Sequence, residues 1–199
     1  MSENKQLPEN SHPLASRKPV NVRRIAFDGM LAAVYFALTM LVIKTPSLKI
    51  TFASLAIVVA ALMFGLPDAV AVAFVGEFLY QVILFGVTVT TPIWMLPPVL
   101  HALCLGLCAL LLGRKKPLVE RTALCFAACM FCGLLNACFN TVALYFDSKI
   151  YGYYQYQIVF GTALVRAGIA LATAAVVTAA AIPLFRTLRE QVPALSRSE

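Results

Sequence analysis

Apolar residues fall in six long runs, separated by short segments that hold much of the charge, proline and glycine. The runs cover residues 26–43, 50–64, 69–85, 93–112, 123–145 and 160–185. Crossing a hydrocarbon core of about 30 Å takes about 20 apolar residues in helical form, so each run is expected to be a transmembrane helix. The second run is the shortest. Only Gly65-Leu66-Pro67-Asp68 separates it from the third. A polar segment with proline, lysine and arginine precedes the first run, and it lacks the apolar centre of a signal peptide. The pattern predicts an all-α integral membrane protein of six transmembrane helices. Its expected parts are a polar tail over 1–24, a membrane domain over 25–186 and a second tail over 187–199.

Composition supports lipid as the main solvent. The 199 residues are 61% hydrophobic and 13% charged, against about 45–50% and about 25% in soluble domains. A soluble fold of this length has too little interior to hide so much apolar surface. These values exclude a disordered chain, a secreted disulfide scaffold and a nucleic-acid module. The formal net charge of +7 reads as orientation. Lys5, Arg17, Lys18, Arg23 and Arg24 precede the first span, Arg114, Lys115, Lys116 and Arg121 lie between the fourth and fifth, and Arg186, Arg189 and Arg197 follow the sixth. With six spans all of these fall on one side, against Lys44, Lys49 and Lys149 on the other. The positive-inside rule then places both termini in the cytoplasm, with a minor contribution from anionic membrane lipid and no nucleic-acid partner.

Ionisable groups at bilayer depth are costly, and each is a candidate for function. With the orientation fixed, Glu77 lies near the middle of the third span with Gln81 one turn further out. His101 lies about two turns into the fourth, beneath Trp94, Pro97 and Pro98. Asn136 and Asn140 share a face of the fifth, and Arg166 lies in the outer half of the sixth. Four helices therefore place polar groups in one layer between the midplane and the outside. Two outer loops, residues 85–92 and 147–157, are positioned to cover it; the second is rich in tyrosine. Each group also has a structural reading. Glu77 and Arg166 could neutralise one another, the two asparagines could join helices by hydrogen bonds, and His101 could be a satisfied neutral histidine. The tyrosines could be interfacial anchors. Asp28, one turn into the first span, is expected to neutralise Arg23 or Arg24.

Two further patterns concern packing. Gly29, Ala33 and Ala37 are four apart, a small-residue stripe that lets another helix approach closely. The six cysteines, Cys104, Cys108, Cys125, Cys129, Cys132 and Cys138, all fall within spans. They read as small buried hydrophobes, with no metal site and no extracytoplasmic disulfide.

The combination of six short spans, both ends inside, and Ala33-Val34-Tyr35-Phe36-Ala37 in the first span resembles an S component, the substrate-binding membrane subunit of an energy-coupling factor (ECF) vitamin transporter. Leu48-Lys49-Ile50-Thr51-Phe52 and Ala60-Ala61-Leu62-Met63-Phe64-Gly65 resemble the family's entry into span two and its turn. Asn136-Ala137-Cys138-Phe139-Asn140-Thr141 resembles the folate-type branch. The similarity covers about residues 25–186. It implies a multi-pass protein of the prokaryotic cell membrane that captures a water-soluble vitamin, here folate, from outside. It further implies docking on a transmembrane T subunit driven by two cytoplasmic ATPases, with Gly29, Ala33 and Ala37 as the contact. Glu77, Gln81, Trp94, His101, Asn136, Asn140 and Arg166 would then bind substrate, without cofactor or metal. The arginine fork would match a carboxylate, the asparagines an amide or heterocycle, and Trp94 would stack. No Gly-x-x-x-x-Gly-Lys-Ser/Thr stretch is present, so ATP hydrolysis by that route falls to other subunits.

Competing readings are a stand-alone ion- or proton-coupled carrier with Glu77, His101 and Arg166 as a relay, an intramembrane enzyme using Glu77 and His101, and a purely structural protein. The lack of an internal repeat opposes the first. The lack of a nucleophile motif or metal signature opposes the second.

Overall fold

Six α-helices carry the fold of the computed structural model, which describes residues 22–41, 43–45, 48–113 and 118–191. Residues 1–21 of the expected tail 1–24, residues 192–199 of the expected tail 187–199 and the basic segment Arg114-Lys115-Lys116 lie outside the described residues, while 22–24 and 187–191 belong to helices. In chain order the elements are α1 (Val22–Met40), strands β1 (Ile43–Thr45) and β2 (Leu48–Ile50), α2 (Ser54–Met63), α3 (Leu66–Phe85), α4 (Thr91–Leu112), α5 (Thr122–Ile150) and α6 (Ala163–Gln191). A 3₁₀ turn at Leu118–Glu120 precedes α5, and a π-helical turn at Gln157–Gly161 precedes α6.

The second element departs most from expectation. In place of a span over 50–64 there is an antiparallel hairpin, pairing Ile43 with Ile50 and Thr45 with Leu48, followed by a helix of only 10 residues. Ten residues rise about 15 Å, half the hydrocarbon core, so α2 cannot cross alone. Among the described residues four helical segments are long and apolar enough to span: Leu66–Phe85, Thr91–Leu112, Thr122–Ile150 and Gln157–Leu188. Helix α1 is long enough but carries Arg23, Arg24 and Asp28. Leu66, Pro67 and Asp68, expected in a loop, form the first turn of α3, which begins after Gly65 at φ 98°. Proline at this position loses no helical hydrogen bond.

The short α2 sits at the centre of the bundle. Ala56, Ile57, Val58, Val59, Ala60 and Ala61 are all buried, and α1, α3, α4 and α6 pack round it. The core is built largely from small residues, with Ala69, Ala73, Ala102, Cys125, Cys132 and Ala181 among those wholly buried or nearly so. Large hydrophobes point outward: Phe74, Phe78, Ile83, Leu107, Leu111, Phe131 and Val142 are exposed. This inversion of the soluble pattern follows from the solvent. Lipid tails give apolar helices no hydrophobic reason to associate, so close van der Waals contact between small residues holds them together. The cysteines are unpaired and mostly interior.

At one end of the bundle Arg24 closes the α2–α3 turn. Its Nε donates to Asp68 at 2.9 Å and its Nη2 to the Phe64 carbonyl at 2.8 Å. The direct ion-pair partner of Arg24 is thus Asp68, which begins α3 beside the turn. Val119, Ile182 and Phe185 pack with Leu62 and Met63, so the α4–α5 connection and the end of α6 gather near the same turn. Arg23, Arg24, Arg121, Arg186 and Arg189 belong to these segments, which makes this the cytoplasmic end by the positive-inside rule.

Candidate functional site

Away from the Arg24 cluster, the helices enclose a cavity of about 720 Å³ lined from all six helices and the entry to α2. Helical spacing delivers its walls. Helix α3 contributes Glu77, Tyr80 and Gln81; α4 contributes Trp94, Pro98 and His101; α5 contributes Gly133, Asn136, Asn140 and Asp147; and α6 contributes Arg166, Ala170, Thr173 and Val177. All seven expected substrate residues line this one cavity: Glu77, Gln81, Trp94, His101, Asn136, Asn140 and Arg166.

Glu77 is 4% exposed and both its oxygens are engaged. Tyr35 Oη donates to Oε2 at 2.7 Å and Gln81 Nε2 donates to Oε1 at 2.7 Å. A buried carboxylate is tolerable only with such donors. Gly76 makes the Tyr35 contact possible. A Cβ at position 76 would lie 2.4 Å from Tyr35 Cδ1, so glycine is what lets the tyrosine ring lie flat against α3.

Asp147 is the second carboxylate. Trp94 Nε1 donates to its Oδ1 at 3.0 Å, and the Tyr153 hydroxyl donates to its Oδ2. Partial burial and the neighbouring Asp147 push the Tyr153 hydroxyl above its usual range, which keeps it a proton donor. Trp94 therefore has a fixed hydrogen-bond partner besides the ring face expected to stack. The loop between α5 and α6 is further held by Lys149, whose Nζ lies 4.2 Å from the centre of the Tyr154 ring.

Asn140 Nδ2 donates to the Asn136 carbonyl at 2.9 Å and to Asn136 Oδ1 at 3.2 Å. This pairing runs along α5 and not between helices, which leaves the outer edges of both amides for a solute. Arg166 Nη2 donates to the Val159 carbonyl in the π-helical turn, and its Nε is buried without a partner. Glu77 and Arg166 are therefore not an ion pair; among the described residues the ion pair is Arg24–Asp68. His101 Nδ1 lies 3.2 Å from the Cys132 carbonyl, and its Nε2 is buried without a partner. Glu77, His101 and Arg166 are not hydrogen-bonded to one another. Among the described residues no cluster of His, Cys, Asp and Glu is arranged to hold a metal ion.

Tyr35 and Asp147 are cavity residues that the sequence reading placed elsewhere. Tyr35 lay inside the segment read as a docking surface, and Asp147 at the start of an outer loop. Helix α1 buries Ala32, Tyr35 and Thr39 on one face and exposes Gly29, Ala33 and Ala37 on the other. Asp147 follows Asn140 by seven residues, two helical turns, so the face carrying Asn136 and Asn140 continues into it. That spacing was the available signal.

A helical membrane bundle enclosing a solute-sized, hydrogen-bonding cavity defines a membrane solute-binding protein. The family model of the ECF-type riboflavin transporter S component matches residues 19–190, and the chain belongs to that family. A solved structure described as the S component of a bacterial ECF transporter superposes with a TM-score of 0.61 at 19% identity, covering 86% of this chain and 98% of that one. At that identity the likeness concerns the fold. No curated protein matches the sequence. The protein is thus a substrate-binding subunit of an ECF transporter in the membrane and not an enzyme. Membership implies association with ECF T and ATPase subunits and a vitamin substrate.

Proposed function

We propose that this chain captures riboflavin, or a flavin close to it, from outside the cell and presents it to a T subunit and two ATPases for uptake. The observation that carries the reading against folate is the charge of the cavity wall. Glu77 and Asp147 line it, and among the described residues Arg166 is the lysine or arginine that does. A folate brings two carboxylates into this lining and finds one guanidinium. Burying a carboxylate without a partner is strongly unfavourable. Riboflavin is neutral, and its hydroxylated side chain can donate to carboxylates and accept from amides, as Asp147, Asn136 and Asn140 would require. Tyr80 and Trp94 offer aromatic surface to its ring system. The family description supports the same choice. The Asn-x-x-x-Asn-Thr resemblance to the folate-type branch rests on residues that serve any heterocycle with amide-like edges.

Transport requires the filled subunit to release its solute inward. The exposed Gly29, Ala33 and Ala37 face is the proposed T-subunit contact, since small residues permit a reversible close approach. Titration of the purified protein with riboflavin, followed by flavin fluorescence, tests the substrate reading. Saturable quenching that a large excess of folate leaves intact is expected. Absence of flavin binding, or displacement by folate, would overturn it.

A further inference from the structure

We propose that His101 sets the ligand's polarity at the inner part of the cavity: its Nε2 accepts a hydrogen bond from a ring N–H of the ligand. The Cys132 carbonyl can only accept, so His101 Nδ1, 3.2 Å away, carries a proton. The ring is 4% exposed, and both cavity carboxylates are bonded to other groups. A second proton would create a buried unpaired charge. The neutral ring therefore presents Nε2 as a bare lone pair, and this atom is buried, unpartnered and on the cavity wall. Trp94 and Tyr35 spend their single donor hydrogens on carboxylates and Gln81 spends one of its two there, and none of the three meets Nε2. The donor must come with the occupant.

The surroundings select the kind of donor. Gly133 follows Cys132 and packs against Ala174, whose Cβ would lie 2.9 Å from any Cβ at position 133. Cys129, one turn below, and Val177 continue the wall, and Thr173 and Thr178 beside them turn their hydroxyls to the Ile169 and Ala174 carbonyls of their own helix. Such a wall suits the edge of a flat heterocycle; a polyol there would leave hydroxyls unpaired. An imide or lactam N–H at a ring edge meets both demands. A ligand with an acceptor or a methyl group at that point would leave Nε2 unsatisfied.

The choice of probe rests on the riboflavin reading above, whose ring carries one imide N–H. Wild type, His101→Leu and His101→Gln are titrated with riboflavin and with 3-methylriboflavin, which lacks that donor. Wild type is expected to prefer riboflavin by on the order of tenfold or more, from the loss of one buried hydrogen bond. His101→Leu should lose the preference through weaker riboflavin binding, and His101→Gln, whose carbonyl can accept, should regain part of it. Equal preference in wild type and His101→Leu overturns the proposal. Should His101→Leu fail to fold, loss of preference in wild type alone is decisive against it. If wild type binds neither flavin, the substrate reading fails instead. The His101 assignment is then decided by ¹⁵N NMR on ligand-free protein with His12 replaced, leaving one histidine. A bare Nε2 supports it, and a protonated Nε2 overturns it.

Discussion

The indole nitrogen of Trp94 donates to the Asp147 carboxylate at 3.0 Å, tying the first turn of α4 to the last turn of α5 where both border the cavity. Tyr153 donates to the other oxygen of the same carboxylate. One acid thus joins two helices and the α5–α6 loop above the solute space. Helix α5 is 29 residues long, about 43 Å, and overshoots a hydrocarbon core of about 30 Å.

Asp147→Ala should accordingly weaken ligand binding by roughly tenfold, since hydrogen bonds to a charged acceptor are the stronger kind. Asp147→Asn keeps an acceptor oxygen and should lose less. Trp94→Phe on top of Asp147→Ala should add little, because both remove the same bond. Dissociation constants for the four members of that cycle give the coupling directly. Additive losses would show that the two residues act separately.

Glu77 predicts a stability effect. Tyr35→Phe leaves its carboxylate with Gln81 alone, and an unsatisfied buried oxygen costs about 1–3 kcal/mol. The thermal midpoint in detergent should fall. Gly76→Ala should cost more, because its Cβ would strike the Tyr35 ring at 2.4 Å and the backbone of two packed helices cannot yield freely. Tyr35→Ala in the same chain removes the clash and should recover part of the loss. A Gly76→Ala protein as stable as wild type would contradict this account of the glycine.

The six-helix plan was legible because apolar runs of the right length leave few alternatives once lipid is the solvent. The second helix was not. Its apolar residues run from Ile50 to Phe64 interrupted only by Thr51 and Ser54, yet Leu48-Lys49-Ile50 pair with Ile43-Lys44-Thr45 as a hairpin and the helix begins only at Ser54. Whether an apolar residue faces lipid or a neighbouring strand is not encoded in its hydropathy. The seven expected substrate residues line one cavity because polar side chains at one depth had few other places to turn. Tyr35 and Asp147 escaped for different reasons. Tyr35 lies mid-span, where only the rotation of α1 turns it inward, whereas an aspartate near a span end is an ordinary interfacial residue, and the length of α5 brings Asp147 to the cavity.

Arg166 and Asn140 line the outer cavity and are the polar recognition groups proposed there. Arg166 has one buried donor, Nε, without a partner, and Asn140 uses its amide nitrogen on Asn136 while its oxygen stays free for a solute. Arg166→Ala and Asn140→Ala should each lower riboflavin affinity by well over about tenfold, the scale of one or two lost charge-assisted or buried hydrogen bonds. Membrane insertion and yield should stay at wild-type levels. Titration of both variants alongside wild type checks this, and unchanged affinity in both would remove them from the site.

The outward face of α1 separates binding from transport. Gly29, Ala33 and Ala37 are exposed while Tyr35 and Thr39 point inward, so a bulky residue can be placed on one face without touching the other. No atom lies within 4 Å of where a Cβ on Gly29 would be, which leaves that surface open to another helix. Ala33→Trp should leave riboflavin affinity unchanged, since the indole would project away from the cavity. It should abolish uptake in cells that also carry the T subunit and ATPases, because close packing at a small-residue stripe does not tolerate a large side chain. Cellular uptake of labelled riboflavin and affinity of the purified variant, measured side by side, give the two halves of the test. Retained uptake would move the docking surface elsewhere, and lost binding would mean that the two faces of α1 are not independent.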